Sequence, residues 1–316
     1  MRLLEVEKIW DHGDHNAFTD LIHYKGQFYC TFREGEDHYE NGKGIIRILQ
    51  SEDANKWQSV GQIRIDGIDL RDPYFFLDKN EKLALGFQGG RYINDQKHLW
   101  MQSYVAFPEQ GNTIKSFSDP APLNIKDEWF WRILCFEEKY YSITYSFTKP
   151  GEFSTPWKTK FYQSENSIEF SLIDEFKIEG RPNEAALRIL PDGRMGALLR
   201  RDKDNCHNYI GRAERPFEQW EWRELNCHIG GPNFLPLTST EWIASGRRWA
   251  NHGGKADPET HVGMIYHNKF ESMLTLPSGG DCSYPGLVLI NDRILYVSYY
   301  SSHEGKTNIY LAKIQM

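Results

Sequence analysis

The 316-residue sequence lacks any apolar run near the ~20 residues of a membrane-spanning helix. It also lacks a Lys/Arg block, and its net charge is −7, which argues against nucleic acid and against an acidic membrane surface as partners. Its opening, MRLLEVEKIWDHGDHN, has no apolar stretch of the signal-peptide kind. A cytoplasmic location is therefore the expectation, although a trimmed secreted chain would read the same. The five cysteines (Cys30, Cys135, Cys206, Cys227, Cys282) are odd in number and show no CxxC spacing. That pattern points away from structural zinc and from a disulfide framework. No window sustains the 3.6-residue period of an amphipathic helix, so few helices are expected.

What the chain does have is short apolar runs punctuated by turn residues. The stretch from Gly180 to Asp202, GRPNEAALRILPDGRMGALLRRD, sets the pattern. A carboxylate, Glu184, opens an apolar strand that ends at Leu190. Pro191-Asp192-Gly193 makes a turn, and the second strand, Met195 to Leu199, ends on Arg200-Arg201. An Asp-Gly pair between two apolar runs is a strong hairpin signal, because Gly takes φ > 0 without steric conflict. Five further copies occur: Asp20–Glu34, Arg71–Gly90, Trp131–Phe147, Gly230–Arg248 and Ser283–Ser302. Taking Asp20, Asp72, Arg132, Glu184, Asn233 and Tyr284 as their starts, the intervals are 52, 60, 52, 49 and 51. A repeat of this length marks a solenoid, an array or a propeller.

The segments between copies read as a third and a fourth strand. Ile45–Val60 and Lys160–Ile173 share apolar alternation, then Ser-Glu-Asp/Asn, then an aromatic. Four strands in each of six repeats predict a six-bladed β-propeller occupying residues 1–316 as one domain. The sixth copy supplies only three strands. Leu3–Trp10 offers the fourth, so the chain's first and last segments are expected to share a blade and close the ring. A many-stranded β-sandwich is the competing architecture.

In a propeller the inner strands start around a central channel, so the six openings should converge on one pocket. Candidate chemistry there comes from Asp20, Asp72, Arg132, Glu184, Asn233 and Tyr284. The ends of the second strands add Arg33, Gln88, Tyr145, Arg200, Arg201, Arg247, Arg248 and Tyr299-Tyr300. Asp281 and His303 flank the sixth copy. Such charges are costly to bury unless paired, so they form either a salt-bridge network or a site for a charged or sugar-like ligand. Bland readings stand beside each: Asp72 as a turn cap before Pro73, Glu184 as a counter-ion to Arg200 or Arg201, and His303 as part of an ordinary turn. Arg247 and Arg248 are adjacent on a strand, so at most one faces the pocket. His12, His15, His23 and His38 match no metal-ligand spacing, and neither a metal nor a cofactor is expected. Trp129, Trp131 and Trp249 suit stacking on a sugar but equally suit core packing.

These runs, with PSGGDCSYPGLVLINDRILYVSYYSSHEGKTNIYLAKIQ, resemble the sialidase superfamily, in particular its sialidase-like or BNR-repeat members. The resemblance implies a six-bladed propeller binding an acidic sugar at its mouth. It implies a tyrosine nucleophile, a glutamate that activates it, an aspartate acid/base and three arginines on the substrate carboxylate. Tyr284 matches the nucleophile, Glu184 its partner, Arg200 the second arginine, and Arg247 or Arg248 the third. The family's Phe/Tyr-Arg-Ile-Pro start to blade one is replaced by Ala17-Phe18-Thr19-Asp20, leaving Arg33 as a candidate substitute. Its Asp-box turn survives only as Ser51–Trp57, one residue short. Arg71-Asp72-Pro73 is similar instead to a motif of five-bladed furanosidases.

The expected function is thus an exo-acting glycoside hydrolase on an acidic or otherwise unusual sugar. Tyr284/Glu184 or Asp72/Glu184 would carry the reaction, with Asp20 a further acidic candidate. Arg33, Arg71, Arg132, Arg200, Arg201, Arg247, Arg248, Asp281 and His303 would bind substrate. A polysaccharide lyase, with Tyr284 or His303 removing a proton from a uronate, and a non-catalytic sugar- or protein-binding propeller are the alternatives. Oligomeric state is not legible from the sequence.

Overall fold

The computed structural model describes residues 1–38, 43–94, 97–109, 116–147, 156–203, 206–249 and 257–316. Among them, 24 strands assemble into six four-stranded antiparallel sheets, each of which is a blade. Five blades follow simple chain order, beginning at His15, Asp69, Trp129, Pro182 and Gly230. The sixth joins Cys282–Ile290, Ile294–Ser301 and Asn308–Gln315 to the N-terminal strand Arg2–Trp10. That strand pairs antiparallel with the last, Val6 opposite Ala312, so the ring closes as the sequence indicates. The first strand of each blade packs against its counterparts in neighbouring blades and lines the axis. This arrangement is a six-bladed propeller, not a sandwich.

Blades adhere through apolar faces whose residues alternate along the strands. Ile46 and Ile48 of blade one meet Leu70 and Phe87 of blade two, and Leu198 of blade four meets Phe234 and Trp242 of blade five. Near the axis the approach is closer still. A side chain at Gly286 would lie 2.2 Å from the Leu21 amide nitrogen, so blades six and one meet there backbone to backbone.

The degenerate Asp-box turn still folds around its acid. Asp53 Oδ1 accepts the backbone N–H of Asn55 (2.9 Å) and Lys56 (3.0 Å), while Trp57 Nε1 donates to the Ala54 carbonyl (3.2 Å). Asn166 plays the same part in blade three, accepting from Ile168 and Glu169.

The inner strands share one irregularity. In each blade the pairing between first and second strand slips near the top, between Ala17/Asp20, Arg71/Tyr74, Phe130/Arg132, Pro182/Ala185, Gly230/Asn233 and Ser283/Gly286. A bulge at this point re-aims the side chain it carries. The ring of bulges therefore decides which residues surround the mouth of the channel.

Candidate active site

Four bulge residues have left-handed backbone: Phe18 (φ 60°), Asp72 (φ 48°), Gly231 (φ 57°) and Tyr284 (φ 50°). Left-handed backbone at a non-glycine residue persists only where its surroundings impose it, and such residues gather at functional sites. Together with Trp131, these four surround a single recess at the mouth. Gly231 is required there, since a Cβ would lie 2.6 Å from the Tyr284 ring.

At the centre, the Tyr284 hydroxyl donates to Glu184 Oε1 at 2.6 Å. One guanidinium nitrogen of Arg200 reaches both Glu184 Oε1 (2.8 Å) and the Tyr284 hydroxyl (3.1 Å). Glu184 Oε2 accepts the Gly231 N–H at 2.8 Å, so the carboxylate is fixed at both oxygens. Burial, reinforced by the negative charge of Glu184, holds the Tyr284 phenol well above its usual range, so it is neutral in the resting site. Asp202 takes Arg200 Nε at 2.7 Å, lies 3.2 Å from His228 Nε2 and accepts from Asn183. Although burial works against ionisation, Arg200 and His228 hold the Asp202 carboxyl below its usual range. Arg200 is thereby clamped between two carboxylates, and these raise its own pKa against the effect of burial.

A second cluster adjoins the first. Asp281 Oδ1 faces Arg247 (3.4 Å) and accepts from the Tyr300 hydroxyl (2.9 Å), while Oδ2 meets His15 Nε2 (3.0 Å) and His38 Nδ1 (2.6 Å). Arg247 lies over the Tyr284 ring at 5.4 Å, so Asp281 positions the cation beside the nucleophile candidate. The ligand-capable atoms of His15, His38 and Asp281 all fall within 4.8 Å of one another, a grouping that linear spacing does not reveal. Its surroundings are cationic, however: Arg71 stands 3.5 Å from His38 Nε2, and Arg247 faces Asp281. An arginine N–H directed at His38 Nε2 leaves the ring proton on Nδ1, directed at Asp281. Both imidazoles thus bond Asp281, His15 Nδ1 has no hydrogen-bond partner among the described residues, and two guanidiniums stand where a further cation would be repelled.

Asp72 faces the same recess. Its side chain is 9% exposed, its Oδ1 has no hydrogen-bond partner among the described residues, and Arg71 Nε is 3.6 Å from Oδ2. Burial, opposed by Arg71 and aided by Glu184, pushes its carboxyl up to about 7. A carboxylic acid half-protonated near neutral pH can both donate and accept a proton.

No family model matches the sequence, and no curated protein matches it. Solved structures do resemble it. A Dyadobacter fermentans protein of unknown function superimposes with a TM-score of 0.79 at 15% identity, over 100% of this chain and 99% of that one. Trypanosoma rangeli sialidase in complex with sialic acid gives 0.69 at 12% identity, over 99% of this chain but 57% of that longer one. A mutant α-L-arabinofuranosidase from Fusarium graminearum bound to an iminosugar inhibitor gives 0.70 at 11% identity, over 99% and 98%. The chain shares the six-bladed propeller fold of these structures.

Within this propeller some expected site residues meet at the mouth and others do not. Tyr284, Glu184, Arg200, Asp72, Arg71, Arg247 and Asp281 form the linked set described above. Arg33 does not replace the missing blade-one arginine: it is fully buried and bonds Asp69 through Nε and a terminal nitrogen at 3.1 and 2.9 Å. Arg201 alternates away from Arg200, stacks on Tyr209 at 3.8 Å and pairs with Glu224. Arg248 lies over Phe270, on the side away from Arg247. His303 bonds Ser301 and rests against Tyr310, away from the Tyr284 cluster.

Asp20 and Arg132 pair with each other at 3.0 Å, and the second Asp20 oxygen accepts the Phe75 N–H at 2.8 Å. They form the floor of the mouth, where Arg132 also lines the recess beside Tyr284 and Asp72. At the blade-one bulge stands Phe18, and the guanidinium of Arg71 lies over its ring at 4.5 Å. Blade two thus places a cation beside the blade-one bulge. Asp202, His228, His15 and His38 also belong to the site. Linear spacing did not single out His15, His38 and His228, because their carboxylate partners lie elsewhere in the chain.

Proposed function

We propose that the protein is an exo-acting glycoside hydrolase in which Tyr284 is the nucleophile, Glu184 its base and Asp72 the acid/base. The observation that carries this is the 2.6 Å hydrogen bond from the Tyr284 hydroxyl to Glu184 at the centre of the mouth. A phenol held above its normal pKa attacks only if its proton leaves as the new bond forms, and Glu184 is placed to receive that proton. In the proposed step Tyr284 Oη bonds to the anomeric carbon while the glycosidic bond breaks. Glu184 gains the phenolic proton, and the leaving oxygen takes the proton of Asp72. Water then cleaves the tyrosyl–sugar bond, Asp72 accepts a water proton, and Glu184 returns the phenolic one. Tyrosine nucleophiles are an established exception to the two-carboxylate scheme of glycosidases. Arg71, Arg200 and Arg247 around the recess support the expectation of an acidic or otherwise unusual sugar, with aromatic faces at Phe18 and Trp131 for its apolar side.

The test is a hydrolysis screen of chromogenic sialosides, uronides and neutral glycosides with wild type, Tyr284→Phe and Glu184→Gln. Cleavage of one class, lost about a hundredfold or more in both variants, is the expected result. Loss in Glu184→Gln with Tyr284→Phe fully active would replace the tyrosine by the Asp72/Glu184 pair. Absorbance from an unsaturated uronate product would replace hydrolysis by elimination.

A further inference from the structure

The channel has a second opening, at the end opposite Tyr284, and its construction differs from the mouth. The far ends of the inner strands line a cavity of about 690 Å³. Its wall includes a group of aliphatic side chains, Ile22, Leu134, Leu235, Leu287 and Leu289, with Leu237 at 39% exposure among them, beside polar groups such as His23 and Asp292. At its base are Asp20, Arg132 and Arg188.

The charges at the base do not balance. Asp20 is spent on Arg132 and on the Phe75 N–H. Arg188 has only neutral acceptors among the described residues, the Leu187 carbonyl (2.8 Å) and Asn233 Oδ1 (2.9 Å). Burial and the nearby Arg132 pull the Arg188 guanidinium down to about 10, with Asp20 opposing them more weakly. Arg132 Nε also has no hydrogen-bond partner among the described residues. The remaining titratable groups of the lining are His23, Cys135 and Asp292, of which Asp292 is exposed and solvated.

We propose that this cavity, which shares only Arg132 with the recess at the mouth, is a second binding site for a small monocarboxylate with an apolar body. The carboxylate would meet Arg188 and Arg132 at the base, and the hydrocarbon would cover the aliphatic wall. A charge-assisted pair with arginine in a low-dielectric cavity is strong, and the apolar tail adds area-dependent affinity. A bare inorganic anion satisfies the base but leaves the wall wet. A neutral amide of the same length satisfies the wall but not Arg188.

The proposal is tested by calorimetric titration of the whole protein with octanoate, octanamide and inorganic phosphate. Three variants accompany wild type: Arg188→Met, Leu237→Asp and Tyr284→Phe. Octanoate is expected to bind one site, with octanamide and phosphate each weaker by about tenfold or more. Arg188→Met should lose that preference, with its melting temperature read beside the titration because it also removes the Asn233 contact, and Leu237→Asp tests the site without that change. Leu237→Asp, at the exposed rim, should weaken octanoate without touching the base, and Tyr284→Phe should leave it unchanged. The proposal is overturned if octanoate and octanamide bind alike or if octanoate fails to bind. It is equally overturned if Arg188→Met retains the preference, or if Tyr284→Phe abolishes octanoate binding, which would place the ligand at the mouth.

Discussion

At the scale of single residues, the site depends on carboxylates in contrasting surroundings. Asp202 and Asp281 sit among cations or imidazoles and are held low, whereas Asp72 is desolvated and held up to about 7. Contrasting environments of this kind assign which acid gives a proton and which stays charged. Asp72 has a consequence for stability as well. Between its ordinary value of 3.8 and about 7, the unfolded chain has released a proton that the folded chain retains. Stability should therefore fall as pH rises through this window, by at most a few kcal/mol. Asp72→Asn should remove that slope, so its melting temperature should gain on wild type at pH 8 relative to pH 5. In wild type, kcat should decline as pH rises through about 7, as Asp72 loses the proton the leaving group needs. An Asp72→Asn protein with the wild-type stability slope would show that another group titrates.

At the scale of elements, the bulge on each inner strand does most of the placing. It puts Tyr284, Asp72, Phe18 and Gly231 in left-handed backbone around one recess. The repeat length and the hairpin turns made the six blades and the closing N-terminal strand legible, because both depend on local pattern. Tyr284, Glu184 and Arg200 were legible from their positions within repeats. Arg33 and Arg201 were misread because strand alternation and bulge position, not nearness in sequence, decide which way a guanidinium points. His15 and His38 were illegible for a related reason, since each is defined by a partner more than 200 residues away, Asp281. The bulge also offers a test. Gly231→Ala would place a methyl 2.6 Å from the Tyr284 ring in a left-handed position, beside the N–H that fixes Glu184. Strain of about 1–3 kcal/mol should lower the melting temperature by some degrees, and activity should fall far more than stability. Wild-type activity in Gly231→Ala would mean that the Tyr284 ring is not held where the mechanism requires it.

At the scale of the whole molecule, the propeller separates two chemistries along one axis. The mouth is polar, aromatic and crowded with paired charges, while the far end is aliphatic with an unbalanced arginine. Asp20–Arg132 and the Arg188–Asn233 contact lie between them, tying blades one to three and four to five across the channel. The first strand, sewn to the last, completes the ring that holds the six openings in register. The central claim is that this ring presents Tyr284 as a nucleophile, and trapping tests it most directly. Once the screen has identified a cleaved sugar, its slow-reacting fluorinated analogue should be incubated with the protein and the peptides analysed by mass. A glycosyl mass on the peptide carrying Tyr284, absent in Tyr284→Phe, is the expected result. The same mass on Asp72 or Glu184, or steady turnover with no covalent adduct, would contradict the account.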